Sequence, residues 1–399
     1  MTVEIPLMPK HTLGFYLQLA AIGAGELEDK LTRDLEAIIF NDPSEYVNAA
    51  DKIWSIIADT KIKPAVEEEC NIVGECERVQ PKLYGAGKGD ASILGEEAGL
   101  NVISQRCGVN TSWCSATLSY VEMVKGNGGP IGGRTSMIML AKAFAYGKLR
   151  GTLSATGEDV VQRDSLGLML LGGLLSMVSR IRVRDSTYEF YLIPDGSPES
   201  LRLANLVYGA FFYKGRLGVS FNDVLSDILR LEVGLSIDLA TYIALLIHLS
   251  RVINEMTGIS GLLEKEGFER FLLARVDSSG NRPQLISISP LTMSYALKTL
   301  KGKEVLLENL WRLTRTSSKL RKSTVKERRR TGEDLASAIG ECFNNLALFL
   351  WTGREDVLFE CSRRMSVVLD TPVTAGLSDD DRNRVKWVLG EVSRLAGSL

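Results

Sequence analysis

Apolar residues recur at helical spacing through the C-terminal part of the chain. The clearest stripe consists of Leu335, Ile339, Phe343, Leu346 and Leu350. Two more stripes are Val357, Cys361, Met365 and Val368, and then Val385, Val388, Val392 and Leu395. Positions three or four apart are typical of one buried helix face. With another helix over residues 302–320, the pattern predicts an all-helical bundle within residues 291–399.

Polar residues and glycine predict where these helices begin and end. Thr331-Gly332-Glu333-Asp334 resembles a capping box, which predicts that a helix begins there and that the residues before it form a loop or a frayed helix end. Gly353 is a predicted helix stop. Ser378 is a predicted cap for the last helix, because the aspartates that follow it lie where the helix dipole favours acids.

The rest of the chain alternates between helical and strand patterns. Residues 1–60 predict helices, one of them opened by Asp42-Pro43-Ser44. The apolar run 166–178 predicts a buried helix, because thirteen residues are too few to cross a bilayer. Two β-hairpins are predicted farther on, with turns at Asp185-Ser186 and at residues 278–281.

Together these patterns predict an α+β protein with two domains. A mixed α/β body with β-hairpins is expected over residues 1–290, and it contains a glycine- and cysteine-rich loop region over 61–135. The all-helical bundle over 291–399 forms the second domain, and a basic stretch over 315–330 lies at its first corner.

Composition limits the class of protein. A chain that is 45% hydrophobic and 24% charged is ordinary for a globular protein, and the N-terminus lacks a basic stretch before its apolar residues, so we expect a cytoplasmic protein. Two histidines are too few for a histidine-cluster nuclease or an HD-type phosphohydrolase. His248 lies off the apolar stripe of its helix, which predicts a place on the helix surface.

The stretch RTSSKLRKSTVKERRR, residues 315–330, is called the basic segment below. It holds eight basic residues and one glutamate, a charge of +7 in a chain of net charge −2, so the remainder carries −9. Such density indicates a polyanionic partner, because arginine and lysine neutralise phosphates and release counterions. The alternative is a solvated loop with surplus charge. The candidate phosphate-binding residues are Arg315, Lys319, Arg321, Lys322, Lys326, Arg328, Arg329 and Arg330.

The stretch VKGNGGPIGGRTS, residues 124–136, is predicted to be a loop between a β-prone run, SATLSYVEMV, and a helix. Residues 128–135 fit a P-loop except that Arg134 replaces the lysine and Pro130 removes a backbone donor, which argues against nucleotide hydrolysis. Backbone N–H groups with Lys125, Asn127 and Arg134 could instead bind a phosphate. The alternative is a structural loop that needs positive φ angles.

Four cysteines bracket a third glycine-rich loop, KLYGAGKGDAS, which contains Lys88. They are Cys70, Cys76, Cys107 and Cys114. Their spacing is loose for a structural zinc site, so zinc, disulfides and free thiols all remain open. No cofactor other than this possible zinc is expected. Cys342 and Cys361 fall on apolar helix faces and are predicted core residues.

Two segments resemble a known family in their layout. LGGLLSMVSRIRVRDSTYEFYLIPDG in mid-chain and LASAIGECFNNLALFLWTGREDVLFECSRRM near the end are similar to the large subunit of the archaeal CRISPR type I-A interference complex. The resemblance implies a non-enzymatic subunit of antiviral defence that contacts the crRNA and the target double-stranded DNA. It also implies recognition of the motif beside the target, duplex opening and docking of a helicase–nuclease and of other subunits, with no role for a membrane.

Motif recognition of this kind would need side chains that reach base edges from loops. Local chemistry supplies the candidates Lys88, Asn101, Gln105, Arg106, Asn127 and Arg134. The basic segment would hold a displaced strand or a duplex backbone. Two alternatives remain: a nucleotide-binding enzyme that uses residues 128–135, and a helical scaffold protein of another complex.

Overall fold

The computed structural model divides the chain into two compact units. The first is Met1–Phe212 with Gly267–Leu291, and the second is Tyr213–Glu266 with Thr292–Leu399. The described residues are 2–10, 12–59, 113–136, 140, 160–212, 219–231, 234–255, 269–280, 283–291, 293–300, 302–370 and 377–396. Helices combined with small antiparallel sheets make this an α+β protein, which confirms the predicted fold class.

The first unit contains the strands and five of the described helices, numbered along the whole chain. The strands are β1 (Val3–Pro6), β2 (Ala37–Phe40), β3 (Arg134–Ser136), β4 (Val160–Gln162), β5 (Met177–Val183), β6 (Ser186–Pro194), β7 (Phe271–Asp277) and β8 (Gln284–Pro290). The helices are α1 (Leu13–Gly25), α2 (Pro43–Ile57), α3 (Trp113–Asn127), α4 (Arg163–Ser176) and α5 (Pro198–Phe212).

Both predicted hairpins are present and together form one four-stranded antiparallel sheet in the order β5-β6-β7-β8. The β5–β6 turn lies at Arg184 and Asp185, and Arg184 adopts a left-handed φ of 54°. Strands β6 and β7 then join the hairpins, with Tyr188 opposite Asp277 and Pro194 opposite Phe271. The hairpin turns are local and were predicted, whereas the pairing of β6 with β7 links distant parts of the chain.

Helices α1 and α4 form the apolar centre of the first unit. Both are buried along almost their whole length, which confirms the buried helix predicted from the run 166–178. They cross so closely that a Cβ atom on Gly172 would collide with the backbone of Leu17, so only glycine fits there. None of the described helices is long and apolar enough to cross a membrane.

The predictions around the first unit's other elements were partly wrong. Asp42 caps α2 and Pro43 occupies its first turn, as predicted, but the strands β1 and β2 were missed. The run SATLSYVEMV lies in α3 and is not a strand. Its buried residues Trp113, Thr117, Tyr120 and Val124 have helical spacing, so helical period outweighed β-propensity. Residues 134–136 form β3, so the helix predicted to follow the glycine-rich loop does not begin there. Most of the rest of that predicted helix lies outside the described residues.

The secondary-structure elements described in the second unit are all helices. Its helices are α6 (Phe221–Leu229), α7 (Ile237–Glu255), α8 (Ser294–Thr299), α9 (Glu304–Arg321), α10 (Lys326–Thr352), α11 (Leu358–Asp370) and α12 (Asp379–Ala396). Helices α9 to α12 pack in sequence and α12 returns to α9, as a bundle requires. The predicted ends are confirmed: Gly353 closes α10 with a φ of 68°, and the Ser378 hydroxyl accepts from the Asp381 N–H at 3.2 Å.

Two local predictions in the second unit need correction, and a third is confirmed with one addition. Thr331 is not a cap but lies inside α10, where its hydroxyl donates to the Glu327 carbonyl at 3.0 Å. His248 is fully buried, and its ring centroid lies 6.0 Å from that of Phe221, because α7 is buried on all sides around it. Cys342 is in the core as predicted, but it forms a disulfide with Cys361 that joins α10 to α11.

Candidate nucleic-acid interface

The basic segment covers the end of α9, a short link over residues 322–325 and the start of α10. The two helices meet closely at Gly332, where a Cβ atom would lie 2.6 Å from the backbone nitrogen of Arg321. The Ser317 hydroxyl also donates to the Gly332 carbonyl at 2.8 Å. The missing side chain of Gly332 therefore lets the end of α9 lie directly against α10.

The residues of α10 that precede this crossing point are helical and exposed. Residues 326–330 are all exposed, whereas Thr331 is only 3% exposed. These five residues are called the helical overhang below. At 1.5 Å per residue the overhang is roughly 8 Å long. The prediction of a loop or frayed end was therefore wrong for most of the segment: its cations lie on helical backbone at both ends of a short link, except Lys322, which lies in the link.

Arg315 is engaged within the second unit. Its guanidinium Nε lies 3.7 Å from the Asp227 carboxylate, and the group stacks 5.6 Å from the centre of the Trp311 ring. The Trp311 indole N–H also donates to Asp227 at 3.1 Å. Burial raises the pKa of Asp227, while the Trp311 hydrogen bond and the charge of Arg315 act in the opposite direction. Arg315 thus helps to fasten α9 to α6.

Arg321 has a similar structural role. Its guanidinium donates to the carbonyls of Arg230 and Leu231 at 3.1 and 2.6 Å. These carbonyls follow the last residue of α6, where helical acceptors lack partners within the helix. Arg315 and Arg321, two of the eight predicted phosphate-binding residues, therefore hold the fold together at this corner.

The other cations of the basic segment face solvent. None of the following forms an ion pair with a described residue: Lys319, Lys322, Lys326, Arg328 and Arg330. Arg329 lies 3.9 Å from Glu333, but the two side chains are 57% and 60% exposed, so the pair contributes little. These six residues are called the basic corner below, and the tertiary structure leaves their charge available.

The backbone at the start of α10 does not offset the charge of the helical overhang, whereas Lys319 and Lys322 lie at the C-terminal end of α9, where the helix dipole favours cations. The start of a helix carries a partial positive charge, which disfavours cations there. Glu327 is the one acid in the first turn of α10, and the N-cap residue, Val325, supplies no side-chain hydrogen bond. The basic corner therefore concentrates positive potential that an anionic partner would neutralise.

The glycine-rich loop, residues 128–133, runs from α3 to β3 in the first unit. Gly128, Gly132 and Gly133 have φ angles of 65°, 72° and 77°, which only glycine adopts readily. The carboxylate of Asp164, in the first turn of α4, accepts from the N–H groups of Ile131 and Gly132 at 3.0 and 2.8 Å. The backbone donors that the sequence suggested for a phosphate thus bind an internal carboxylate.

Two buried tyrosines complete the surroundings of Asp164, which is only 2% exposed. The Tyr120 hydroxyl donates to its carboxylate at 3.0 Å, and the hydroxyls of Tyr120 and Tyr46 are hydrogen-bonded to each other. Burial raises the pKa of both tyrosines well above the usual value, so both hydroxyls keep their protons and can donate. Asp164 is therefore satisfied without a bound ligand, and the geometry favours the structural explanation of the loop.

The loop also lacks the arrangement of a P-loop. A P-loop follows a strand and opens a helix, whereas residues 128–133 follow a helix, α3, and lead into a strand, β3. Lys125 forms an ion pair with Asp51. Asn127 and Arg134 are exposed beside the loop and remain available to a partner.

Several predicted site residues lie outside the described residues. They are Lys88, Asn101, Gln105, Arg106, Cys70, Cys76 and Cys107. Cys114 belongs to the first turn of α3, but its side chain is outside the described part. Within the described part, no group of three or more His, Cys, Asp or Glu residues is placed to hold a metal ion.

Sequence reasoning missed two acids that control these regions, Asp164 and Asp227. Asp164 is the one acid beside the long apolar run of α4, and a carboxylate in such a setting needs buried donors. The sequence shows this isolated acid, but it does not show which donors Asp164 binds. Comparison of the chain with protein-family models, with curated proteins and with solved structures finds no match.

Proposed function

We propose that the chain is a nucleic-acid-binding subunit of a CRISPR type I interference complex. In this proposal it is a cytoplasmic, non-enzymatic protein of antiviral defence that contacts the crRNA and the target double-stranded DNA. The observation that carries the proposal is the basic corner, whose cations face solvent and, apart from Lys322, lie on helices. The family-level part of the proposal rests on the resemblance of the two sequence segments described above.

The physical basis is electrostatic. Each phosphate that a lysine or arginine neutralises releases counterions. The logarithm of the binding constant for duplex DNA therefore falls with the logarithm of the salt concentration, with a slope of about −0.9 per neutralised phosphate. The rest of the chain outside the basic segment carries −9, so the attraction is concentrated in one place. Contacts of this kind give affinity without base preference.

The other parts of the proposed role require further contacts. Recognition of a motif beside the target needs side chains that reach base edges, and Asn127 and Arg134 are exposed next to a firmly held loop. Duplex opening and the docking of a helicase–nuclease and of other subunits come from the resemblance alone. The proposal keeps three alternatives for the cysteines at 70, 76, 107 and 114: a structural zinc site, disulfides or free thiols.

The direct test is duplex binding as a function of salt. We expect fluorescence anisotropy with a labelled duplex DNA to give salt-sensitive binding. Reversal of charge at Arg328, Arg329 and Arg330 to Glu should weaken binding at least tenfold and lower the salt slope by about 3. The matched control reverses three exposed arginines of the first unit, Arg33, Arg182 and Arg184. Equal weakening by the control, or binding that ignores salt, would overturn the proposal.

The two alternatives give different results in the same preparations. A nucleotide-binding enzyme should hydrolyse nucleotide and lose that activity in Arg134→Ala. The engagement of the loop by Asp164 argues against this alternative. A helical scaffold protein should neither hydrolyse nucleotide nor bind nucleic acid in a salt-sensitive way.

A further inference from the structure

The helical overhang is exposed on every side. A surface helix ordinarily buries one face, and burial then recurs every three or four residues. Residues 326–330 break this pattern, because five consecutive positions are exposed and a full turn contains about 3.6 residues. Burial begins at Thr331 and Gly332, where α9 crosses α10. The free end of α10 therefore stands clear of the helices around it.

The cations are distributed around this free end. Successive residues of a helix are about 100° apart, so Lys326 and Arg330 share one side of the axis and Arg328 points to the opposite side. Arg329 lies between these two sides, and Glu327 occupies the remaining side. With Glu327 as the one acid, the overhang carries a formal charge of +3. Lys319 and Lys322 add two exposed cations at the neighbouring end of α9. A flat anionic surface could meet only part of this set, whereas a charged groove could meet cations on opposite sides of the helix at once.

The dimensions match one form of nucleic acid. A helix with its side chains is about 10–12 Å across, and the major groove of B-form DNA is about 12 Å wide. The minor groove, about 6 Å wide, is too narrow. The major groove of A-form RNA is deep and narrow, so it also excludes a helix. We infer that the helical overhang enters the major groove of duplex DNA while Lys319 and Lys322 contact the flanking phosphates.

This inference rests on the proposed function and names the form of nucleic acid that the basic corner binds. Phosphates line both edges of the groove, and cations on opposite sides of the overhang can reach both strands. The arginines that point toward the groove floor can donate to guanine acceptors. The charge of a groove-forming polyanion thus accounts for cations on opposite sides of a helix end.

The experiment compares probes of one sequence at one salt concentration. The probes are a fluorescein-labelled duplex DNA of about twenty base pairs, the corresponding duplex RNA and the single DNA strand. A fourth probe is the same duplex DNA with glucosylated hydroxymethylcytosines, which obstruct the major groove. We expect the plain duplex DNA to bind at least about tenfold more tightly than the RNA duplex or the glucosylated DNA. Netropsin, which occupies the minor groove, should change the affinity less than about twofold.

Two variants distinguish recognition of the groove by a rigid helix from simple attraction between charges. Insertion of two glycines between Arg330 and Thr331 keeps every cation but uncouples the overhang from α10. It should abolish the preference for unobstructed duplex DNA while salt-sensitive binding remains. Lys319→Gln with Lys322→Gln removes flanking cations only, so it should weaken binding to all duplexes and keep the preference. Circular dichroism of both variants checks that the helical fold is retained.

The possible failures are distinguishable. Absence of binding to every probe would overturn the proposed function and this inference with it. Equal affinity for DNA and RNA duplexes, indifference to glucosylation or displacement by netropsin would overturn this inference alone. Retention of the duplex DNA preference in the glycine-insertion variant would also overturn it, because a flexible basic tail would then suffice.

Discussion

The glycine-rich loop and the basic corner differ in what the fold does with groups that could bind an anion. The sequence suggested phosphate binding for both. In the structure, the carboxylate of Asp164 accepts the loop's N–H groups from within the first unit. At the basic corner, Arg315 and Arg321 are engaged inside the second unit, but six other cations remain exposed. A local sequence motif indicates which groups could bind a partner. Whether those groups are free depends on residues that are distant along the chain.

The largest expected effect concerns the loop. Asp164→Ala removes the acceptor of two backbone N–H groups and of the Tyr120 hydroxyl in a buried place. Because buried donors without partners are costly, we expect the free energy of unfolding to fall by about 3–5 kcal/mol, measured by urea denaturation. Asp51→Ala, which breaks the exposed pair with Lys125, is the matched control and should cost less than about 1 kcal/mol. Similar small losses in both variants would mean that the loop is not held by Asp164.

The next effect concerns the helix that carries the basic corner. The disulfide between Cys342 and Cys361 joins α10 to α11 and closes a loop of 19 residues. Replacement of both cysteines by alanine should lower the free energy of unfolding of the second unit by about 3 kcal/mol, because the unfolded chain gains freedom. Denaturation of the wild-type protein with and without a reductant should show the same difference. Alkylation and mass spectrometry that found two free thiols there would contradict the prediction.

A smaller effect is a pH dependence at the anchor of α9. Burial raises the pKa of Asp227 above the usual 3.8, so the folded state holds this proton more tightly than the unfolded state. The contribution of Asp227 to stability is therefore fully present below its unfolded pKa and is lost as the pH rises through its folded pKa.

Asp227→Asn keeps an acceptor for the Trp311 indole and removes the titration. The stability of the variant relative to the wild type should therefore rise as the pH increases through this window. Urea denaturation at a series of pH values measures it. A difference that stayed constant with pH would show that Asp227 does not titrate as its burial implies.

The smallest expected change in stability comes from the basic corner, where removal of cations should not lower stability. Replacement of Lys326, Arg328 and Arg330 by glutamine removes cations from the start of a helix, where the dipole disfavours them. Thermal denaturation should show an unchanged or slightly higher stability, by less than about 1 kcal/mol, while duplex binding is weakened. Asp164→Ala should thus destabilise the fold, whereas the glutamine replacements at the basic corner should affect only the binding of the partner. A marked destabilisation would show that the corner, too, has a structural role.

Much of the fold followed from local patterns. The helix stripes after residue 302, the buried α4, the cap at Asp42 and both hairpin turns were predicted, because each depends on the spacing or chemistry of neighbouring residues. The start of α10 was misplaced because Thr331 satisfies its hydroxyl inside a helix and not at its end. The surface placement of His248 was wrong because a single stripe does not reveal a helix that is buried on all sides.

The candidate site was predicted only in part. The density of cations in residues 315–330 is a property of the sequence alone. The sequence alone does not show which of these cations are free, because the partners of Arg315 and Arg321 lie far from them along the chain. These partners are Asp227 and the carbonyls at the end of α6. Likewise, the glycines of the loop predicted its positive φ angles, but nothing near them in the sequence revealed Asp164 as the group they bind.

The sequence by itself determined the fold class, most helix and turn positions and the concentration of positive charge, because these depend on residues within a few positions of one another. Only the tertiary structure decided the pairing of β6 with β7, the closing of the loop on Asp164 and the exposure of the helical overhang. Such contacts join residues that are distant along the chain, and local preference cannot specify which distant partners will meet.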